Sequence, residues 1–308
     1  MKKPRIVKLG TIDLDMVETT PVVFRGTLYR FEYVRPNYWA NTTGVSFFRF
    51  IQHDTGKSSS PFAHGYHLGN VLAEEDRLIV TGTNKWGGER VEIFVSEDME
   101  HWTSWTALNL PGHAIYNTSL CHAEGRYALM YELGKPRELV GVPFTGFFAF
   151  SGDLRRWELA QPECNYAKDR YTAPHCLRYL DGWYYNFYLE ARRPDPPQEP
   201  KVPGCHGYVY EQCLVRSRDL IHWESSPLNP VLRASPEDRF IANAALTEAQ
   251  HERVLAAVNV NNSDIDFCEY QGRLVINYSW GNQKGYEHLA EAIFEGSQAE
   301  FLTSWFSE

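Results

Sequence analysis

Apolar and polar residues alternate in short runs along most of the chain, and turn-forming residues separate these runs. A period of two is the pattern of a β-strand with one buried face. The runs pair into five similar units, each a strand, a turn and a second strand rich in aromatic residues. Four units turn at a glycine and one turns at Glu75-Asp76. The five units span residues 22–32, 68–83, 120–132, 176–190 and 267–279.

A second repeat, Ser-x-Asp-(Leu or Met)-x-x-Trp, follows three of these units. It occurs at residues 96–102, 151–157 and 217–223. Its tryptophans are 55 and 66 residues apart, which suits four-stranded blades joined by loops of different length. We interpret the repeat as a structural Asx-type turn whose tryptophan packs between blades.

Together the two repeats predict an all-β fold, a five-bladed β-propeller formed by residues 1–308 as a single domain. Helical periodicity is absent until residues 298–305. There we predict one short C-terminal helix, after an outer strand at residues 289–294.

Charge and composition narrow the range of partners. The 308 residues carry a net charge of −9, without a run of Lys or Arg long enough to follow a phosphate backbone, so no nucleic acid is expected. No stretch approaches the roughly 20 apolar residues of a membrane span, and the first ten residues lack the apolar segment of a signal peptide. We therefore expect no membrane partner and a cytoplasmic location. The six cysteines show no zinc-ligand spacing, so neither a metal nor another cofactor is predicted.

We call the end of the channel at which each innermost strand begins the mouth. The connectivity of a propeller determines which residues lie there. Each hairpin returns the chain to that end, so residues before the first strand and after the second should line it. Eight positions before the turn glycine stand Glu18, Asn117 and Asp264. Thr20 and Asp266 stand six positions before it, on the same strand face. We therefore expect these side chains at the mouth.

Three glutamates, Glu32, Glu132 and Glu190, stand at the far ends of the second strands. Several carboxylates converging on one channel would raise some of their pKa values, which is typical of acid/base sites. Alternatively, each glutamate pairs with a nearby basic residue, such as Arg35 or Arg192, and only fixes a loop.

Three tryptophans follow second strands in loops rich in Asn and Gly: Trp39, Trp86 and Trp280, the last close to Gln283. A tryptophan in a polar loop has little reason to be in the core, and its flat apolar face suits stacking on a sugar ring. We therefore predict that at least one of them lines the mouth.

The repeats resemble the five-bladed propellers of glycoside hydrolase families 43, 62, 32 and 117, over nearly the whole chain. Thr20-Pro21 and residues 171–175 occupy the places of the Asp-Pro and acid-bearing Glu-Gly-Pro-His motifs of family 43. The resemblance implies a carbohydrate site at the mouth. It also implies that Thr20, Asn117 and Thr172 replace the base, the pKa-modulating Asp and the general acid of that family.

The sequence thus predicts a glycoside hydrolase that acts from the end of a glycan, with an oligosaccharide or glycoside as substrate. Glu18 or Asp264 is the expected base and Glu190 the expected acid; Asp266 and His175 are the next candidates for the acid. A non-catalytic carbohydrate-binding propeller is the alternative. The predicted substrate-binding residues are Thr20, Trp39, Trp86, Asn117, Glu132, Thr172, Trp280 and Gln283.

Overall fold

The computed structural model describes residues 3–35, 46–193, 207–283 and 286–306. Trp39, one of the predicted sugar platforms, lies outside these residues. In the described part of the chain, no helix combines the length and the apolar character that crossing a membrane requires.

Five blades surround a central channel, as the sequence predicted. The N-terminal strand is β1 (Val7–Leu14). Blade 1 contains β2 (Thr19–Phe24), β3 (Thr27–Val34) and β4 (Phe47–Gln52); blade 2 contains β5 (His67–Ala73), β6 (Leu78–Thr83), β7 (Arg90–Ser96) and β8 (Thr103–Asn109). Blade 3 contains β9 (Ala114–Ala123), β10 (Arg126–Lys135), β11 (Thr145–Ser151), β12 (Glu158–Leu159) and β13 (Asn165–Tyr166). Blade 4 contains β14 (Cys176–Leu180), β15 (Trp183–Arg192), β16 (Val209–Ser217) and β17 (Glu224–Ser225); blade 5 contains β18 (Asn261–Tyr270), β19 (Arg273–Gly281) and β20 (Glu287–Glu295).

The first strand of the chain completes the last blade. β1 pairs antiparallel with β20, from Val7 opposite Ile293 to Leu14 opposite His288. The predicted outer strand at 289–294 is therefore the third strand of its blade, because β1 covers its edge. An ion pair between Lys8 and the buried Asp238 (Nζ–Oδ1 2.6 Å) fastens β1 to the segment that leads into blade 5.

The Ser-x-Asp repeat forms the same turn three times. In its first copy the Ser96 hydroxyl accepts the Met99 N–H (2.9 Å), and Asp98 Oδ1 accepts the N–H groups of Glu100 and His101 (2.9 and 2.8 Å). The residue after each Asp has a positive φ of 62–64°. The tryptophan that ends the copy, Trp102, stacks on a neighbouring aromatic ring. The structural interpretation of this repeat is confirmed.

Replacing Ser217 by alanine is expected to lower the free energy of unfolding by about 1 kcal/mol. This buried hydroxyl accepts the N–H groups of Asp219 and Leu220 (3.2 and 2.9 Å), which would lose their partner. Urea denaturation measures the change. Ser58→Ala is the control, because Ser58 is exposed and its hydroxyl donates to the neighbouring Ser59 carbonyl. Equal stability of the two variants would contradict the role of this turn.

The helices are short: α1 (Arg137–Val140), α2 (Glu248–Ala256), α3 (Gln298–Ser304) and a 3₁₀ turn (Pro236–Arg239). α3 confirms the predicted C-terminal helix. The prediction that nothing helical precedes it was wrong, since α2 precedes it. A capping box marks the start of α2: Thr247 accepts the Gln250 N–H, while the Gln250 side chain accepts the Thr247 N–H. That Thr-x-x-Gln signal was present in the sequence.

Candidate active site

Polar side chains of the innermost strands form a ring across the channel below the mouth. It contains Thr20, Asn70, Asp266 and Cys176, which meet through hydrogen bonds between blades. Asp266 Oδ2 accepts from Thr20 Oγ1 (2.8 Å) and Asn70 Nδ2 (3.0 Å), and its Oδ1 pairs with the Arg178 guanidinium. These partners engage both carboxylate oxygens of Asp266. Asp266 therefore joins blades instead of serving as the acid that the sequence suggested.

Above this ring the mouth widens into a cavity of about 320 Å³, here named the upper cavity. A narrower space of about 40 Å³ lies between it and the ring. Glu18, Asn117 and Asp264 line both spaces and form the floor of the upper cavity. Residues eight positions before the turn glycine therefore converge on the channel axis, as their spacing predicted.

Four aromatic residues form one wall of the upper cavity. Trp86 and Tyr116 are in edge contact, with centroids 6.1 Å apart; Tyr116 packs on Phe144 (4.6 Å), and Phe144 on Tyr171 (5.6 Å). Trp86 and Tyr171 are each 37% exposed. The wall thus offers ring faces on which a sugar can stack. Trp86 lies where the sequence placed it, and so does Gln283, which also lines this cavity.

Glu18 forms an ion pair with Arg35 on the cavity floor. Arg35 Nη2 lies 3.0 Å from Glu18 Oε2, and the guanidinium also packs over the rings of Tyr33 and Trp86. Arg35 therefore supplies the counter-charge that an ionised Glu18 needs in this recessed position. It pairs with Glu18 and not with Glu32, whose partners are Arg30 and Arg49.

A break in the strand register aims Asp264 at the channel. The pairing of β18 with β19 shifts between Ser263 and Asp266, and Asp264 has a φ of 53°, unusual for a residue other than glycine. Its Oδ2 accepts the hydroxyls of Ser263 (2.6 Å) and Ser279 (3.1 Å). Enclosure by protein, with the charge of Glu18 second, raises the pKa of Asp264 to about 7. Asp264 can therefore carry a proton near neutral pH.

A further carboxyl group, Glu287, lies buried close to Asp264 and was missed by the sequence reasoning. Its Oε1 accepts the Gln283 N–H (2.5 Å), and its Oε2 accepts Asn261 Nδ2 (3.3 Å). Burial, followed by the charge of Asp264, raises the pKa of Glu287 to about 8. Three carboxyl groups from blades 1 and 5, those of Glu18, Asp264 and Glu287, thus share one electrostatic environment.

Beside the cavity floor, Glu132 and His175 form a buried pair. Glu132 Oε1 lies 2.8 Å from His175 Nδ1, and Glu132 Oε2 accepts Asn117 Nδ2 (2.9 Å). The other ring nitrogen of His175, Nε2, lies 3.1 Å from the buried Thr172 hydroxyl. With both nitrogens engaged, His175 orients its neighbours and has no free nitrogen for a substrate. Glu132 and Thr172 act through these contacts and do not line the cavities.

The glutamates near the ends of the second strands differ by one residue in their distance from the turn glycine, and this difference decides which face of the strand each occupies. Glu32, Glu132 and Glu190 stand six, seven and eight positions after their turn glycines. Since strand residues alternate between faces, Glu132 faces the next blade, whereas Glu32 and Glu190 face the preceding one. There Glu190 pairs with Arg170 (Nε–Oε2 3.3 Å), and it is not among the described residues that line either cavity. Glu190 therefore does not join Glu18 and Asp264, contrary to the sequence prediction.

Trp280 is also misplaced by the sequence reasoning. Its ring is fully buried, its Nε1 donates to Thr11 Oγ1 (2.9 Å), and it packs against His288. The reason is that residues 280 and 281 still belong to β19, which is an inner strand of the sheet with β20 and then β1 on its outer side, so this tryptophan is not in a loop. Trp280 cannot serve as a sugar platform at the mouth.

The site residues that the sequence reasoning did not select lie in segments far apart along the chain. Tyr116 and Tyr171 directly precede the predicted Asn117 and Thr172, which was an available signal. Phe144 and Glu287 lie in no motif. Within the described ranges, no group of three or more His, Cys, Asp or Glu side chains is arranged to hold a metal ion.

Comparison with solved structures identifies the fold. The chain superimposes on an α-L-arabinofuranosidase from Podospora anserina, solved with cellotriose, with a TM-score of 0.59, 8% identity and coverage of 96% of this chain and 98% of the other. A protein solved in an RGII complex gives a TM-score of 0.58, 13% identity and coverage of 96% and 94%. A xylan β-1,4-xylosidase from Bacillus halodurans gives 0.57 and 14%, covering 93% of this chain and 54% of its own.

These likenesses show that the chain has the five-bladed propeller fold of glycoside hydrolases, as the resemblance of the repeats implied. At 8–14% identity they show the fold alone. No protein-family model and no curated protein sequence matches the chain.

Proposed function

We propose that this protein is a glycoside hydrolase whose active site is the upper cavity. The observation that carries the proposal is a pair of carboxyl groups with different surroundings on the floor of an aromatic-walled cavity. Glu18 has Arg35 as its counter-charge, whereas the pKa of Asp264 is raised to about 7. Glycosidic bond hydrolysis requires two carboxyl groups in different environments, and here one is paired with a guanidinium while the other can carry a proton near neutral pH.

In this proposal Asp264 is the general acid and Glu18 the general base. Asp264 gives its proton to the glycosidic oxygen as the bond from that oxygen to the anomeric carbon breaks. Glu18 takes a proton from the water whose oxygen bonds to the anomeric carbon. Arg35 holds Glu18 in place through their ion pair, and burial, followed by the negative charge of Glu18, favours the protonated form of Asp264.

The shape of the cavity favours attack on the end of a glycan. At about 320 Å³ it lies at the small end of ligand sites, which run from about 300 to 1,000 Å³. The ring that contains Thr20, Asn70 and Asp266 narrows the channel below it. One terminal sugar therefore fits, against the aromatic wall. Because the structural neighbours include a xylosidase and an arabinofuranosidase, pentose-containing glycans are the first substrates to test.

Product analysis on a panel of aryl glycosides and oligosaccharides tests this function. The expected result is release of one monosaccharide at a time from the non-reducing end, detected by chromatography. Release of internal fragments would contradict the exo mode. Binding of these sugars without any turnover would overturn the hydrolase and favour the second candidate.

That second candidate is a carbohydrate-binding propeller without catalysis. It is favoured by Thr20, Asn117 and Thr172, which stand where family 43 has its acids. In that case Asp264 and Glu18 would only bind sugar hydroxyl groups. We favour hydrolysis, because a lectin has no need for crowded carboxyl groups with raised pKa values.

Replacing Tyr171 by alanine is expected to weaken binding of the substrate's terminal sugar by about tenfold, since loss of a stacking ring costs about 1.4 kcal/mol. Titration calorimetry on an inactive variant measures the effect. Tyr270→Ala is the matched control, because Tyr270 lies at the hairpin turn on the opposite end of the channel. Equal affinities of the two variants would contradict the role of the aromatic wall.

A further inference from the structure

A second large cavity, of about 560 Å³, lies beside the mouth between blade 4 and the segment that leads into blade 5. We name it the arginine groove, because Arg192, Arg193, Arg233 and Arg239 line it, with Tyr210 and Asn259. Neither the repeats nor the proposed catalytic residues account for it.

Among the residues that the structure describes, few negative charges compensate the positive charge of this groove. Arg192 pairs with Glu211 (Nη1–Oε2 2.8 Å). Within the described residues, Arg193, Arg233 and Arg239 have no carboxylate partner: Arg193 Nε donates to the Tyr208 hydroxyl (3.3 Å), and Arg239 Nη2 to the Ala257 carbonyl (2.8 Å). Three guanidinium groups that lack a carboxylate partner in the described part of the chain line one concave space and attract an anion, although the net charge of the whole chain is −9.

The groove lies at the same end of the molecule as the upper cavity. Arg192 and Val209 end β15 and begin β16 at the mouth. Tyr210, in the groove wall, pairs with Asn261 where β16 of blade 4 meets β18 of blade 5. The side chain of Asn261 in turn donates to Glu287, beside Asp264. A glycan whose terminal sugar occupies the upper cavity can therefore extend toward the groove.

We propose that the arginine groove binds a carboxylate of an acidic glycan, so that the substrate contains uronic acid. This inference rests on the proposed function, whose site it extends. Guanidinium groups bind carboxylates through two parallel hydrogen bonds, and Arg239 is already held by the Ala257 carbonyl and packs over Trp280, 5.7 Å from its centroid. Arg193 and Arg233 are exposed, so their guanidinium groups are accessible to a ligand in the groove.

Calorimetric binding of trigalacturonate, compared with its fully methyl-esterified form, tests the proposal. The ester has the same backbone without the charges. Measured on an Asp264→Asn protein to prevent turnover, the acid form should bind at least tenfold more tightly than the ester. The double variant Arg193→Gln/Arg233→Gln should abolish that preference while it leaves ester binding unchanged. The control is Arg25→Gln, at a hairpin turn on the opposite end of the channel, where Gln271 occupies the equivalent position of blade 5.

Equal binding of acid and ester, or an acid preference that survives the double variant, would overturn the proposal. Inorganic phosphate provides a further arm. If phosphate binds through the same arginines and trigalacturonate binds no more tightly than phosphate, the groove is a site for free anions and the glycan assignment is wrong. Because binding is measured without hydrolysis, these outcomes stay separate from a failure of the proposed activity, which product analysis detects.

Discussion

Asp264→Asn is expected to reduce turnover about 10²–10⁴-fold on a substrate with a poor leaving group, while the fold and sugar binding persist. Asparagine keeps the size of Asp264 and can still meet Ser263 and Ser279, but it has no proton to transfer. An aryl glycoside with an activated leaving group needs little protonation, so its turnover should fall much less. The ratio of the two losses measures how much of the effect is acid catalysis.

Glu190→Gln is the matched control for this substitution. The sequence pointed to Glu190 as the acid, but its pairing with Arg170 on the blade 3 side leads us to expect turnover close to that of the wild type. The pH profile provides a second readout. Wild-type turnover should fall as the pH rises through about 7, where Asp264 loses its proton, and this alkaline limb should vanish in Asp264→Asn. Loss of turnover in Glu190→Gln, with Asp264→Asn active, would reverse the assignment.

Glu287→Gln is expected to stabilise the protein at alkaline pH by on the order of 3 kcal/mol and to change its stability little at pH 5. The pKa of Glu287 is about 8 in the folded protein and about 4.3 when unfolded. Between these values the folded state binds the extra proton, so wild-type stability falls as the pH rises through this window. Above about pH 8 the buried carboxylate is charged and its full cost is present. Glutamine carries no such charge, and its amide oxygen can still accept Asn261 Nδ2.

Urea denaturation of both proteins at pH 5, 7 and 9 measures this difference. Glu295→Gln serves as the control, because it lies on the same strand with an exposed side chain. The curve for Glu287→Gln should be flatter than that of the wild type, and the Glu295 variant should follow the wild type. A stability difference that does not grow with pH would show that Glu287 is ionised without cost in its site.

The blades could be predicted from sequence because their signals are local. Alternation, a turn glycine and the Ser-x-Asp turn are all read within about a dozen residues, and each determines a hairpin or a turn by backbone geometry and hydrogen bonds. Counting back from the turn likewise placed Glu18, Asn117 and Asp264 correctly at the mouth. That count gives the position of a residue along its strand, whereas the register break that aims Asp264 at the channel was seen only in the structure.

Counting from the turn glycine failed for the glutamates of the second strands, where a difference of one residue decides which face of the strand the side chain occupies. Glu132 and Glu190 look equivalent in sequence, yet one ends seven and the other eight residues after its glycine, so their side chains face opposite blades. Trp280 looked like a loop residue because the cover provided by β1 and β20 is not visible in its own neighbourhood. The count that separates the two glutamates was available in the sequence, whereas the error on Trp280 concerns contacts between strands, which a single segment does not specify.

The sequence by itself therefore determined the five blades, their closure around a channel and the convergence of polar residues on one end. Only the tertiary structure decided which of those residues carry chemistry. Arg35 beside Glu18, Glu287 behind Asp264 and the wall built from Trp86 to Tyr171 are assembled from different blades. A pKa depends on burial and on charges within a few ångströms, and these are properties of the packed molecule that no stretch of sequence contains.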